Sequence, residues 1–418
     1  MRLALFLAWL TACHPAAVVP SDSGPDADTD ADADSDTDTD ADTDADADTD
    51  TLVLDAAFDS GSVGTWTIEG DTVRLTPNTI TPVNQDRVYA YWVHFRLEGV
   101  GAREITLEIT GVEGNSFFGE QDHDVQMVWS CDAESWLRLE EHAYRPDDGG
   151  TYVVTQAFSC DPVTVATFFP FSVATMEAWL DQVVEHADVS LSTLGSSEQG
   201  RDIRMLAVTN GALPDEGKRS VFVVGRQHAA ETAGSHQLAG LVDFLLSGDE
   251  DAQPLLDGFV WRIVPMVNPD GVYLGHSRTT SELRDPNADW ANGESVEVVT
   301  VRTLLEDLAA GPGVDMVLDW HNQMNNVHWE DFVYSPSGNT FFPVLSQWTD
   351  FDNQEAYGAS SCTATDCSFR GWVMSHVLYD PMFVLEPCPH LAHRTIEELR
   401  EQGELTARAI GAWFEEQP

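Results

Sequence analysis

The chain has 418 residues, enough for two domains that each bury a core. Acidic residues number 71 against 20 basic ones, a formal net charge of −51, and Lys218 is the sole lysine. Nucleic acid and anionic membrane surfaces are bound through basic patches, so this balance argues against both as partners and speaks for a strongly solvated surface.

The first residues, Met1-Arg-Leu-Ala-Leu-Phe-Leu-Ala-Trp-Leu10, combine one positive charge with an apolar run too short to span a bilayer. They lead into Leu10-Thr-Ala-Cys13, the order of a bacterial lipobox. Residues 1–12 are therefore expected to be a signal peptide. Cys13 is expected to be lipidated, which would make the protein an exported lipoprotein anchored at the cell envelope. An ordinary secretion signal is the alternative. From Asp22 to Thr51 nearly every second residue is Asp. Such a run cannot bury apolar surface and its charges repel, so residues 13–51 read as a disordered linker. A calcium reading of the repeat lacks the glycine turn and distal glutamate of a folded calcium loop.

Residues 52–166 read as β structure. Alternation runs through Val73-Arg-Leu75, Val88 to Leu97 and Glu104 to Thr110, punctuated at Gly61, Gly70, Gly111 and Asp147-Asp-Gly-Gly150. The expectation is a small antiparallel sandwich with a Cys131–Cys160 disulfide. Of Cys362, Cys367 and Cys388, two are expected to pair and one to stay free. Asp122-His-Asp124 reads as a solvated turn.

Residues 167–418 alternate strands with helices. Ser172 opens a helix over 173–185 with Met176, Trp179, Leu180 and Val183 at helical spacing. Strands are expected at 203–209 and 221–225, then a helix at 232–247. Further strands follow at 260–264, 315–319, 332–334 and 382–386, and a last helix at 395–414. This order predicts an α/β domain with a mixed, largely parallel central sheet flanked by helices.

Four residues lie at or just beyond apolar strand ends: His228 and Glu231 in Arg226-Gln-His-Ala-Ala-Glu231, His321 in Asp319-Trp-His-Asn322, and Glu386 in Phe383-Val-Leu-Glu386. Open α/β sheets bind ligands at the carboxyl ends of their strands. Two imidazoles and a carboxylate are zinc ligands, and a second carboxylate is the base that zinc hydrolysis needs.

With these motifs on the page, the chain resembles the zinc metallocarboxypeptidases related to carboxypeptidase A. The resemblance is to the cytosolic-carboxypeptidase branch, which carries an extra β-domain in front. Trp261-Arg-Ile-Val-Pro-Met-Val-Asn-Pro-Asp-Gly271 is similar to that branch's apolar strand running into Pro-x-x-Asn-Pro-Asp-Gly. The resemblance implies a fold, a cofactor and roles. One Zn2+ per chain would be held by His228, Glu231 and His321, with Asp285 hydrogen-bonded to the first ligand histidine. Glu386 would be the general base, and Arg278 would face the developing oxyanion. The substrate would be a peptide or protein C-terminus.

One departure stands out. The family's Asp-x-Asn-Arg-Asn-Trp is here Asp285-Pro-Asn-Ala-Asp-Trp290, so Asn287 is kept as a substrate contact while the carboxylate-binding arginine is Ala288. Arg370 sits at the branch's spacing before Glu386 and is expected to receive an acidic side chain or replace the lost clamp. The family tyrosine matches Tyr357 or Tyr379. The expected function is a zinc carboxypeptidase that prefers acidic C-terminal residues. The alternatives are an inactive, tethered binding protein of the same fold and a zinc amidohydrolase acting on a non-peptide amide. A calcium-dependent adhesin would leave the zinc constellation unexplained. The oligomeric state is not legible.

Overall fold

The computed structural model describes residues 51–101, 103–114, 118, 126–140, 142–146, 149–322, 331–353, 362, 367–378, 380–388 and 394–417. Cys13, the aspartate run, Asp122-His-Asp124, Tyr357 and Tyr379 lie outside them.

Among the described residues the front part holds ten short strands: β1 Val53–Asp55, β2 Trp66–Glu69, β3 Thr72–Leu75, β4 His94–Glu98, β5 Glu104–Thr110, β6 Val128–Ser130, β7 Trp136–Arg138, β8 Ala143–Arg145, β9 Thr151–Ala157 and β10 Val163–Ala166. They form two five-stranded sheets, ordered β1-β4-β10-β6-β7 and β2-β3-β5-β9-β8. Every pairing is antiparallel except β3 with β5. The alternation read in the sequence is the mechanism. Ile105, Leu107 and Ile109 of β5 turn into a core shared with Val73, Leu75, Phe95 and Val165, all fully buried. Cys131 and Cys160 are bonded across this part, with Cα atoms 5.7 Å apart. Cys362 pairs with Cys367, and Cys388 is buried and belongs to neither disulfide.

The expected strand from Val88 to Leu97 is a strand only from His94. The backbone N–H groups of Tyr91 and Trp92 leave the sheet and donate to Ser277 Oγ at 2.8 and 3.2 Å, and Tyr89 makes an isolated bridge with Ile80. The run satisfies its polar backbone on the second part of the chain instead of on a neighbouring strand.

The second part is built on one eight-stranded sheet. Its strands are β11 Val189–Ser196, β12 Asp202–Val208, β13 Arg219–Gly225, β14 Phe259–Val264, β15 Met316–Trp320, β16 Phe332–Tyr334, β17 Asp352–Asn353 and β18 Met382–Glu386. The order is β11-β12-β14-β13-β15-β18-β16-β17. The central run β14-β13-β15-β18 is parallel, and antiparallel pairings flank it. Its strands are apolar on both faces because helices cover both. The helices are α1 Val173–Val183, α2 Thr232–Leu245, α3 Gln253–Gly258, α4 Pro269–Tyr273, α5 Val296–Ala310, α6 Phe342–Leu345, α7 Phe369–His376 and α8 Ile396–Glu415. Helix α8 starts at a complete capping box, Thr395 with Glu398.

Helix α5 holds an acid under strain of solvation. Glu297 is 1% exposed, and burial, with Asp270 and Glu198 nearby, lifts its pKa from the ordinary 4.5 to about 7. The folded protein therefore keeps a proton that the unfolded chain releases. The associated stability is fully present below about pH 4.5 and is lost as pH rises towards 7. Glu297→Gln should remove this dependence and stabilise the protein at pH 8 by on the order of 3 kcal/mol. Denaturant unfolding of both proteins at pH 5 and pH 8 checks it. An equal difference at the two pH values would show that Glu297 ionises freely.

Candidate metal centre

Strands β13, β15 and β18 are parallel neighbours, with Gly225 opposite Trp320 and Trp320 opposite Leu385. Their carboxyl ends therefore open at one level. His321 N donates to Leu385 O at 2.9 Å, which sets His321 beside the residue before Glu386.

The turn after β13 delivers the first two candidate ligands. Arg226 sits at φ 55°, a left-handed conformation that costs a non-glycine residue about 1–2 kcal/mol. Its buried side chain holds the turn there. Nη1 donates to Phe171 O at 2.7 Å and to Ser235 Oγ at 3.1 Å, and Nη2 donates to Ala229 O at 2.6 Å. Glu231 occupies the N-cap position of α2 but makes no side-chain capping bond. Asn322 Oδ1 instead accepts from Ala233 N at 2.8 Å, so the Glu231 carboxylate is released from helix duty. Gly234 lets α2 lie against β15, since a Cβ there would come within 2.6 Å of the His321 carbonyl oxygen.

Three side chains converge. Glu231 Oε1 lies 2.7 Å from His228 Nδ1, Glu231 Oε2 lies 2.8 Å from His321 Nδ1, and the two Nδ1 atoms are 3.1 Å apart. Ligand atoms of all three fall within 4.8 Å of one another, and all three residues are buried. Burial opposes charge on Glu231, yet the two histidines hold its carboxyl well below the ordinary range. Burial likewise opposes protonation of His321, but Asp319 and then Glu231 push its pKa well up. Two nitrogens and an ionised oxygen turned on one point are the donor set of a zinc site, so the residues fit the ion.

Each imidazole is backed by a carboxylate. His228 Nε2 is 3.2 Å from Asp285 Oδ1, and His321 Nε2 is 3.0 Å from Asp319 Oδ2. Asp285 also caps the short 3-10 turn Pro286–Ala288 through Asn287 N and pairs with Arg278 Nε. Burial works against its charge; Arg278 and then His228 outweigh it and keep the pKa below the carboxylate range. Arg278 Nη1 lies 3.9 Å from Glu231 Oε1, and its guanidinium sits 4.8 Å from the Tyr89 ring centre. Glu386 stands at the end of β18. Burial first, then Glu231 and Asp319, push its pKa up to about 8 against the pull of His321 and Arg278.

Asn287 and Arg370 are placed differently from each other. Asn287 Nδ2 lies 3.3 Å from His321 Nε2, and its Oδ1 accepts from Phe369 N at 2.9 Å. Asn287 thus ties the first turn of α7 to the cluster. Arg370, the next residue, is buried, and its Nη2 donates to Ser335 O at 3.3 Å.

The sequence reading missed several residues. Asp319 stood within a motif already singled out, two residues before His321. The front part supplies the rest. Asn84 makes two 2.9 Å hydrogen bonds with the Asp285 backbone, and Gln85 Nε2 donates to Asp285 Oδ2 at 2.6 Å. Nothing in the sequence around residues 84–89 signals a partner about two hundred positions away.

The fold and this cluster define an α/β domain with a candidate metal site and a β-rich front domain that reaches into it. The profile of the family described as zinc carboxypeptidase matches residues 176–344, and that of the cytosolic carboxypeptidase N-terminal domain matches residues 54–168. The chain is 26% identical to cytosolic carboxypeptidase 6 of Caenorhabditis elegans over 72% of its own length and 67% of that protein. It is 31% identical to the Homo sapiens protein of the same name over 57% of itself and 50% of that protein. The metallo-carboxypeptidase structure from Burkholderia cenocepacia superposes with a TM-score of 0.75 at 21% identity, over 87% of this chain and 99% of that one, a likeness of fold. The chain thus carries a zinc carboxypeptidase domain preceded by a cytosolic carboxypeptidase N-terminal domain. It spans about two thirds of the worm relative and half of the human one.

These findings correct one expectation. Export as a lipoprotein anchored through Cys13 is overturned, because the front domain and the curated relatives are those of cytosolic carboxypeptidases. That reading rested on residues 1–13 alone. A short apolar run before small residues and a cysteine is a generic hydrophobic signal, outweighed by matches across both domains.

Proposed function

We propose that the protein is a zinc-dependent carboxypeptidase that removes C-terminal residues, with a preference for acidic ones. The observation that carries the reading is the His228, Glu231 and His321 cluster at the end of β15 and the turn after β13, with Glu386 at the end of the adjoining strand. One zinc per chain would be held by those three residues; when bound, it supplies a Lewis acid for the carbonyl and lowers the pKa of water. Glu386 takes the proton of the attacking water on its carboxylate and passes it to the leaving nitrogen. Arg278 presents a fixed cation to the oxygen on which charge develops; its bond to Asp285 keeps it from reorganising as the reaction proceeds. Asp285 orients His228.

Recognition of the substrate is assigned to Asn287 and Arg370. Ala288 leaves out the family's bidentate arginine, a strong pair for a terminal carboxylate. Arg370 is a buried cation on the turn tied to Asn287, and a buried guanidinium favours a carboxylate partner. Such a charge-assisted pair contributes roughly 1.5–3 kcal/mol, or about ten- to a hundredfold in selectivity. Peptides ending in Glu or Asp should therefore be trimmed faster than those ending in Leu, Phe or Lys. Arg370→Ala should erase the preference, and Ala288→Arg should improve binding of ordinary C-terminal peptides. A screen of C-terminally varied peptides with the zinc-loaded protein tests this. Equal rates on Phe- and Glu-ended peptides, unchanged in Arg370→Ala, would remove Arg370 from the pocket. Hydrolysis of acyl amides with no release from any peptide would favour the amidohydrolase reading.

A further inference from the structure

Behind the cluster the same arrangement occurs twice. Tyr89 Oη donates to Gln85 Oε1 at 2.7 Å, Gln85 Nε2 donates to Asp285 Oδ2 at 2.6 Å, and Asp285 Oδ1 lies 3.2 Å from His228 Nε2. Trp290 Nε1 donates to Gln227 Oε1 at 2.9 Å, Gln227 Nε2 donates to both oxygens of Asp319 at 2.9 Å, and Asp319 Oδ2 lies 3.0 Å from His321 Nε2. Each chain runs aromatic donor, glutamine, aspartate, histidine. One glutamine comes from the front domain, the other from the turn that carries His228.

The direction of each chain follows from the chemistry of its ends. An indole N–H can only donate, so Gln227 must present its oxygen to Trp290 and its NH2 to Asp319. An ionised carboxylate can only accept, so Gln85 must present its NH2 to Asp285 and its oxygen to the Tyr89 hydroxyl. Neither amide can flip without setting two donors or two acceptors face to face. With both carboxylates committed as acceptors, a proton on the Nε2 of each histidine is the one they accept; at His321 the NH2 groups of Gln227 and Asn287 also lie 3.4 and 3.3 Å from that nitrogen. The Nδ1 lone pairs are then left for the point where Glu231 also converges.

We propose that Gln85 and Gln227, each locked by its aromatic donor, are positioning residues that fix Asp285 and Asp319 and so preset both ligand histidines as Nε2–H tautomers. The front domain is thereby a working part of the metal centre. The proposal rests on the zinc-site reading above. It concerns residues that neither touch substrate nor bind the ion.

The test uses the full chain. Gln85→Met and Gln227→Met keep side-chain length and remove the amide. Outer partners of this kind are worth about 10–100-fold in metal affinity. Each variant should bind zinc about tenfold more weakly in competition with a chelator, and the two together more weakly than either. In the zinc-loaded, 15N-histidine-labelled protein, the exchange-protected Nε2–H signal of His228 should be lost in Gln85→Met and that of His321 in Gln227→Met. A purely structural role would lower the melting temperature and leave the ring signals in place. Gln85 lies on a half-buried turn, so its variant folds independently of how the core tolerates Gln227→Met. Trp290→Phe removes the indole N–H together with part of the buried ring, and should shift affinity in the same direction as Gln227→Met. Wild-type affinity with both Nε2–H signals intact in the variants overturns the proposal while leaving the metal site standing. Full zinc retention by His321→Ala overturns both.

Discussion

Glu386→Gln is expected to keep zinc and lose hydrolysis, with kcat falling on the order of a hundredfold or more. Gln has the same shape as Glu, so β18 and its pairings with β15 and β16 are left intact. What changes is that an amide oxygen cannot take a proton from water. Burial pushes the Glu386 pKa up to about 8, against the pull of His321 and Arg278. In the proposed reaction this carboxylate would accept a proton and then release it to the leaving nitrogen. Steady-state kinetics with metal content measured on the same sample separates loss of the base from loss of the ion. Near wild-type turnover with full zinc would remove Glu386 from the mechanism.

The sequence and the structure part company where partners are distant. Runs such as Val221 to Gly225 and Met382 to Glu386 are short, apolar and β-branched or aromatic, so they read as buried strands, and their ends carry the key residues. The last helix, expected at 395–414, spans Ile396–Glu415 behind its Thr395 cap. Helix α5 was passed over although Val298, Val301, Leu305 and Leu308 fall at helical spacing and are buried. Strand β11 was passed over for the opposite reason: it is an edge strand, largely exposed or half-buried, and its serines and threonine mask the pattern. The candidate ligands were legible because zinc chemistry restricts residue type. Asn84, Gln85 and Tyr89 were not. Amides and phenols carry no such restriction, and their role depends on a contact between two domains that no local pattern encodes.

His321→Ala is expected to abolish stoichiometric zinc after dialysis. Three protein ligands are what a catalytic zinc has, and removing one leaves two, His228 and Glu231, on the same short turn. The loss extends beyond one bond. Without the ion, the His321 ring lies against Glu231 through Nδ1 and against Asp319 through Nε2, so the variant leaves two buried carboxylates each short of a neighbour. A ligand that binds only the folded state stabilises it in proportion to its affinity, by about 4 kcal/mol when free zinc exceeds the dissociation constant a thousandfold. Wild type should therefore melt at a higher temperature with zinc than with a chelator, and the His321→Ala protein should melt alike in both. Metal analysis and melting curves on the two proteins check the prediction. A variant that retains one equivalent of zinc and the full zinc-dependent rise in melting temperature would place the ion elsewhere in the molecule.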